Sequence, residues 1–406
     1  MFATLMPLFD ENMKVKAFSL FSQKDNFLLN PSFLSTGSYD GVGRISGLDV
    51  INNAGIETLS FDADIFVEVN EISLFADIEA QCKAPIKRIV ILINKSVKPC
   101  ENTLERLKDL KKKGYRIAIR SLLVADFENY KEILRLTDFV LLDYKRIDIS
   151  KGKIYFSKVY PNTKLVACNV DSQEIYEKLT KSGGYAYYEG DFYRLPITRG
   201  CEQILPVKAT YIELLNIVNN PDFELANAAD VIGRDTALVV SLLRMVNNMT
   251  VNSGITTIRH AAAMLGQKEL KKWINTAVTE KLCEDKPGEV TRLSLIRAKF
   301  AENLATPFQM AAQSSELFLM GLFSVLDIIL DKTMSEALSL VKVSKPIEKA
   351  LLKNEGEFAE ILNFIKAYEQ AYWPEVSRIL VIKEIESNII YDAYVEALKW
   401  YKNLFS

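Results

Sequence analysis

His260 is the only histidine in the chain, so a metal site needing two imidazoles is excluded and a nucleophilic triad has one candidate base at most. Arg259 and an alanine run flank it, the setting of a helix-surface residue. The five cysteines, Cys82, Cys100, Cys168, Cys201 and Cys283, lie far apart without a CxxC pair. That spacing signals neither a disulfide framework nor a zinc site and reads as reduced thiols. No GxxxxGK[ST] or GxGxxG stretch occurs, which sets aside the two common backbone cradles for nucleotide phosphates. The residues left with chemical reach are acids: Asp143 closes the run FVLLD and Asp171 follows KLVACNV. Both fall at strand ends, where barrels of parallel strands assemble their sites.

The elements that must position these acids follow from periodicity. Short β-rich runs alternate with amphipathic helices: RIVILIN (88 to 94), ENTLERLKDLKKK (101 to 113), YRIAI (115 to 119), FENYKEILRL (127 to 136), FVLLDY (139 to 144), KLVACNV (164 to 170), SQEIYEKLTKSG (172 to 183) and YAYYEG (185 to 190). KAFSLF (16 to 21) and DIFVEV (64 to 69) are strand candidates upstream, while residues 24 to 60 carry no clear pattern. Such alternation predicts parallel strands with crossover helices, closed into a barrel. Lys111, Lys112 and Lys113 end a helix before Gly114, where cations complement the helix dipole. The aromatic residues Tyr185, Tyr187, Tyr188, Phe192 and Tyr193 are expected to pack against a neighbouring element.

Beyond RLPITRGCEQILP (194 to 206) the strand signal fades and helical spacing takes over, with Asp235 placed as the N-cap of DTALVVSLLRMVNN. With 406 residues, 49% of them hydrophobic and 25% charged, two domains are expected: an α/β barrel over 1–196 and an all-helical domain over 200–406. Lys and Arg number 50 against 52 Asp and Glu, a balance that argues against a dedicated nucleic-acid binder. The start, MFATLMPLFDENMK, lacks a basic n-region and meets acids early, so neither a signal peptide nor a membrane insertion is expected, and the expected location is cytoplasmic.

Two stretches carry a family resemblance. ILPVKATYIELLNIVNNPDFELANAADVIGRDTALVVSLLRMVNN, then ITTIRHAAAMLG, resemble an HDOD domain, a relative of HD-type phosphohydrolases. The order and hydrophobic frame of the first half resemble an EAL domain, the cyclic di-GMP phosphodiesterase family, whose fold is TIM-barrel-like. The resemblance implies two metal ions held by carboxylates and an Asn at strand ends, which activate water against a phosphodiester. Carried onto this sequence, the first Glu falls on Phe18, the Asn on Glu68 and the E-x-x-E pair on Ile91 and Asn94. The D-D pair becomes Arg120 and Ser121, and the K-x-D strand has Leu141 and Asp143. The A-E-x-V-E strand reads Ala167, Cys168, Asn169, Val170 and Asp171, and the Q-G-x-x-F turn runs from Glu189 and Gly190 to Tyr193. In the HDOD part, GLFSVLDIIL offers Ser324 and Asp327 where an HD enzyme shows its His-Asp pair.

From this the expectation is a degenerate phosphodiesterase-like domain with no catalytic residues, no metal site and no cofactor. The protein would act in signal transduction through an unidentified protein partner of the HDOD domain. The alternative is a sensor that binds cyclic di-GMP without cleaving it, in a vestigial pocket of Glu68, Arg120, Asp143, Asp171, Glu189 and Tyr193; an active phosphodiesterase ranks last.

Overall fold

In the computed structural model, which describes residues 1–23, 44–195, 206–220, 222–249 and 255–405, the alternating segments close on themselves. The strands are β1 (Phe2–Phe9), β2 (Val15–Gln23), β3 (Asp64–Glu68), β4 (Ile89–Asn94), β5 (Arg116–Arg120), β6 (Phe139–Asp143), β7 (Lys164–Cys168) and β8 (Tyr187–Glu189). They form one closed barrel in chain order. The expectation of parallel strands needs one correction. β1 runs antiparallel to both of its neighbours, because it joins β2 through a hairpin and not a crossover helix. Asp10 pins that turn by accepting from the amides of Asn12 and Lys14 at 2.9 and 3.0 Å.

Side chains alternate across a strand, and the inward set forms a buried cluster that includes Ala17, Phe66, Leu92, Ala118, Leu141 and Val166. Two residues further along each strand, the same parity brings Ser19, Glu68, Asn94, Arg120 and Asp143 to the lumen. Helices outside the barrel start on side-chain caps: Asp148 accepts from the amides of Ser150 and Lys151 before the helix Ile149–Val159, and Ser172 from Ile175 before Gln173–Ser182. The helix expected over 127–136 shrinks to Lys131–Leu134. Upstream of it the chain is held by a short 3₁₀ turn at Val124–Asp126 and by the Tyr130 hydroxyl, which donates to the Lys95 carbonyl at 2.7 Å.

The chain divides into two compact units, Met1–Leu195 with Asn363–Ser406, and Pro196–Leu362. The last 44 residues, expected with the helical domain over 200–406, therefore pack with the barrel. The reason lies in β1, which is buried along both faces and needs a cover outside the lumen. The Phe2 ring stacks on Trp373 at 5.4 Å, the Ala3 amide donates to the Tyr368 hydroxyl at 3.2 Å, and the N-terminal ammonium donates to Ser387 and Asn388.

The second unit is helical throughout its described residues. Asp235 caps as expected, accepting from the amides of Ala237 and Leu238 at 2.8 and 3.1 Å. The helix begun at Ile258 is interrupted at Gly266, the glycine that closes ITTIRHAAAMLG. The Ser324 hydroxyl donates to the Gly321 carbonyl and accepts from Arg297 Nη1 at 3.2 Å, and Asp327 accepts from the Ile328 amide. His260 is exposed on its helix. Among the described residues no helix is long and apolar enough to cross a membrane.

Candidate functional site

The lumen mouth is built from strand ends. β5 delivers Arg120 and β8 delivers Glu189, and they form an ion pair at 2.9 Å with side chains only 15% and 3% exposed. The Ser19 hydroxyl donates to the other Glu189 oxygen at 2.7 Å, and the Arg120 guanidinium lies over the Phe21 ring at 5.1 Å. Nη1 of Arg120 is buried without a hydrogen-bond partner among the described residues. Burial works against the Arg120 charge, but the Glu189 carboxylate, with Glu68 beyond it, outweighs burial and holds its pKa above the usual value.

Glu189 is placed by the residue after it. At Gly190 (φ +156°) a Cβ would stand 2.0 Å from the Val170 carbonyl oxygen, so only glycine lets β8 approach the turn after β7 this closely. The Val170 amide donates to the Glu189 carbonyl at 3.1 Å and the Phe192 amide to the Val170 carbonyl at 3.3 Å.

The other expected site residues separate into two groups. Glu68 lies at the lumen mouth and accepts from the Asn94 amide group at 2.6 Å. Asp143 accepts from the Lys145 amide at 2.9 Å and pairs with Arg146 at 3.4 Å, while Asp171 pairs with Lys145 at 3.1 Å on the rim. Tyr193 is not placed to stack on a ligand: it is buried, 4.9 Å from the Phe9 ring, and its hydroxyl accepts from Arg194 Nε at 2.9 Å. Arg194 continues to Glu369 at 3.4 Å, so Tyr193 belongs to the packing of the C-terminal helices on the barrel.

Strand register also corrects two assignments made by resemblance. Phe18 and Ile91 are buried, but the alternation that turns Ala17 and Leu92 inward turns these two outward, so Ser19 is the lumen residue of β2. Two contributors escaped the sequence reading. The alternation from Ala17 carried a signal for Ser19; nothing in the sequence marked Trp373, which lines a pocket of about 300 Å³ at the barrel mouth with Phe21, Ser22, Glu68, Asn70 and Asn94.

The donor set does not fit a pair of divalent ions. Metal sites of that kind are built from oxygen ligands, whereas Arg120 puts a fixed cation among these acids and already occupies Glu189. Among the described residues no three or more His, Cys, Asp or Glu side chains gather as an ion would require. Lys111 and Lys113 form no phosphate patch: they pair with Asp138 at 2.9 Å and with Asp109 and Glu79 at 3.1 and 3.2 Å.

Burial sets the order of thiol reactivity. Cys168 in the lumen is pushed well above the usual thiol range by burial and then by the Glu189 charge. Burial raises Cys82 and lifts Cys283 to about 11. Exposed Cys100, just before the helix Glu101–Lys112, is lowered by its hydrogen bond with Thr103. Thiolate is the reactive form, so iodoacetamide near neutral pH is expected to modify Cys100 before these three, read by peptide mass mapping. Early labelling of Cys168 would show an open lumen.

Residues 204–361 match the HDOD domain family. The chain is 24% identical over 326 residues, 79% of its length and 74% of the relative's, to the protein named cyclic di-GMP phosphodiesterase CdgJ of Vibrio cholerae. It is 23% identical over 412 residues, 99% of its length and 98% of the relative's, to the uncharacterised protein YuxH of Bacillus subtilis. Among solved structures it is similar to the EAL domain of Mycobacterium smegmatis DcpA, with 16% identity and a TM-score of 0.35 over 47% of this chain and 89% of that one. The match to the HDOD family thus follows, in chain order, an eight-stranded closed barrel.

Proposed function

We propose that this chain is a non-catalytic regulatory protein of a cyclic di-GMP pathway, acting in the cytoplasm, with the barrel as a scaffold and the HDOD domain as the surface that engages a protein partner. The link to that pathway rests on the likeness to the Vibrio protein and on the HDOD match. The observation that carries the non-catalytic reading is the buried Arg120–Glu189 pair. It sets a guanidinium where the resemblance calls for cations, and it takes the one fully buried acid of the mouth out of service as a ligand. Leu141 adds to this, since no lysine stands there to stabilise charge on a reacting phosphate.

Full-length protein incubated with cyclic di-GMP and magnesium or manganese is expected to release no linear pGpG. Product growing in proportion to protein, and lost when Glu68 and Asp143 are both changed to Ala, would overturn this. Affinity capture with the full chain would then identify the partner.

One observation favours a second reading, a sensor that binds the dinucleotide without hydrolysis. Among the described residues the buried Nη1 of Arg120 lacks an acceptor, and a phosphate oxygen supplies one. On that reading calorimetry detects cyclic di-GMP binding without added metal. The binding is lost in the double variant Arg120→Met, Glu189→Leu, whose matched apolar side chains keep the lumen filled; retained affinity would place the ligand elsewhere.

A further inference from the structure

The second unit contains a cavity of about 760 Å³, within the range of small-molecule sites. Leu319, Leu338, Val341 and Ile347 supply apolar lining. Two polar groups of the lining have chemistry left unspent. Ser344 presents a buried hydroxyl oxygen with no hydrogen-bond partner among the described residues, although it sits at the N-cap of the helix Lys345–Lys353, where serine ordinarily accepts from that helix. Lys271 is half-buried, and among the described residues its ammonium makes no salt bridge or hydrogen bond. Burial holds its pKa below the usual lysine range, with the Glu316 charge opposing the effect from beyond salt-bridge distance. Burying a cation or a hydroxyl without a partner is costly, and a ligand that supplies one offsets that cost.

We infer that this cavity binds a small organic monoanion with an aliphatic body, its anionic group received by Lys271 and Ser344 and its chain laid on the Leu319, Leu338, Val341 and Ile347 wall. The two carboxylates of the lining, Glu316 and Glu348, balance Lys271 and Lys342 in formal charge. That balance disfavours a polyphosphate, which would bring several charges to a lining with no net positive excess, and leaves the unpaired Lys271 ammonium to receive one anionic group. The apolar wall selects a body of several methylenes, each worth about 0.8 kcal/mol when buried. The site is separate from the barrel mouth and does not depend on the reading proposed for it.

The test is isothermal titration of the full-length chain with octanoate, acetate and n-octanol. Octanoate is expected to bind at one site per chain, with acetate and octanol each at least about tenfold weaker, since each lacks one of the two matched features. Lys271→Met keeps the side-chain length and removes the charge, and should weaken octanoate at least about tenfold; Ser344→Ala should weaken it severalfold. Lys353→Met, a lysine of the same helix outside the cavity, should bind as the parent does, and circular dichroism verifies that each variant is folded. Absence of saturable octanoate binding, equal binding of octanol, or unchanged affinity in folded Lys271→Met would each overturn the inference.

Discussion

Changing Glu189 to Ala is expected to destabilise the barrel unit by about 3–5 kcal/mol, the cost of leaving one member of a buried ion pair alone. Glu189 is 3% exposed and is the only acid within bonding distance of Arg120 among the described residues. With it gone, a guanidinium already lacking a partner at Nη1 loses its counter-charge, and the Ser19 hydroxyl loses its acceptor. Arg120→Ala should cost a similar amount by stranding the carboxylate. The double variant Arg120→Met, Glu189→Leu is expected near parental stability or above it, because matched apolar side chains avoid the desolvation of both charges. Trp373 and Trp400 both lie in the barrel unit and Trp273 in the other, so urea unfolding followed by fluorescence in a Trp273→Phe background reports the barrel. A loss below about 1 kcal/mol for Glu189→Ala would mean that water reaches the pair and that Glu189 is not held out of service as a ligand.

The second large effect is expected at Gly190. An alanine Cβ there would meet the Val170 oxygen at 2.0 Å and the Val170 nitrogen at 2.6 Å. Both are backbone atoms of a hydrogen-bonded turn, so no side-chain rotation relieves the contact. Overpacking typically costs about 1–3 kcal/mol and an unfavourable backbone conformation about 1–3 kcal/mol more, so Gly190→Ala should lose at least about 3 kcal/mol. The consequence reaches the site, because β8 holds β1 through only the pairs Leu8 with Glu189 and Phe9 with Tyr188. Moving Gly190 opens that seam and draws Glu189 away from Arg120. Gly183→Ala is the control: its φ is +64° but nothing lies within 4 Å of an added Cβ, so the expected cost is the conformational one alone, about 1–2 kcal/mol. Equal losses at the two positions would show that the turn after β7 yields.

The division between what was legible and what was not follows the range of the interactions. The runs that became β2 through β8 could be read because a strand's apolar period and its flanking helix caps are local properties; Asp235 and Ser172 were written into their helices in the same way. β1 was missed because an apolar run buried on both faces has no alternation to show. A resemblance placed the first acid position at Phe18, whereas the fold turns Ser19 inward; a one-residue shift reverses every face of a strand, and only pairing with β3 (Ser19 beside Phe66) settles which is right. Glu68, Arg120, Asp143 and Glu189 were recognisable as polar strand ends. That Arg120 and Glu189, 69 residues apart, spend their charges on each other was decided by barrel closure. Tyr193 was diverted to Phe9 and Arg194, and Trp373 was brought to the mouth, because the C-terminal helices cover β1. Helical periodicity states that a face must be buried and is silent about what buries it; that choice is made by complementary surfaces far apart in the chain, so only the tertiary structure contains it.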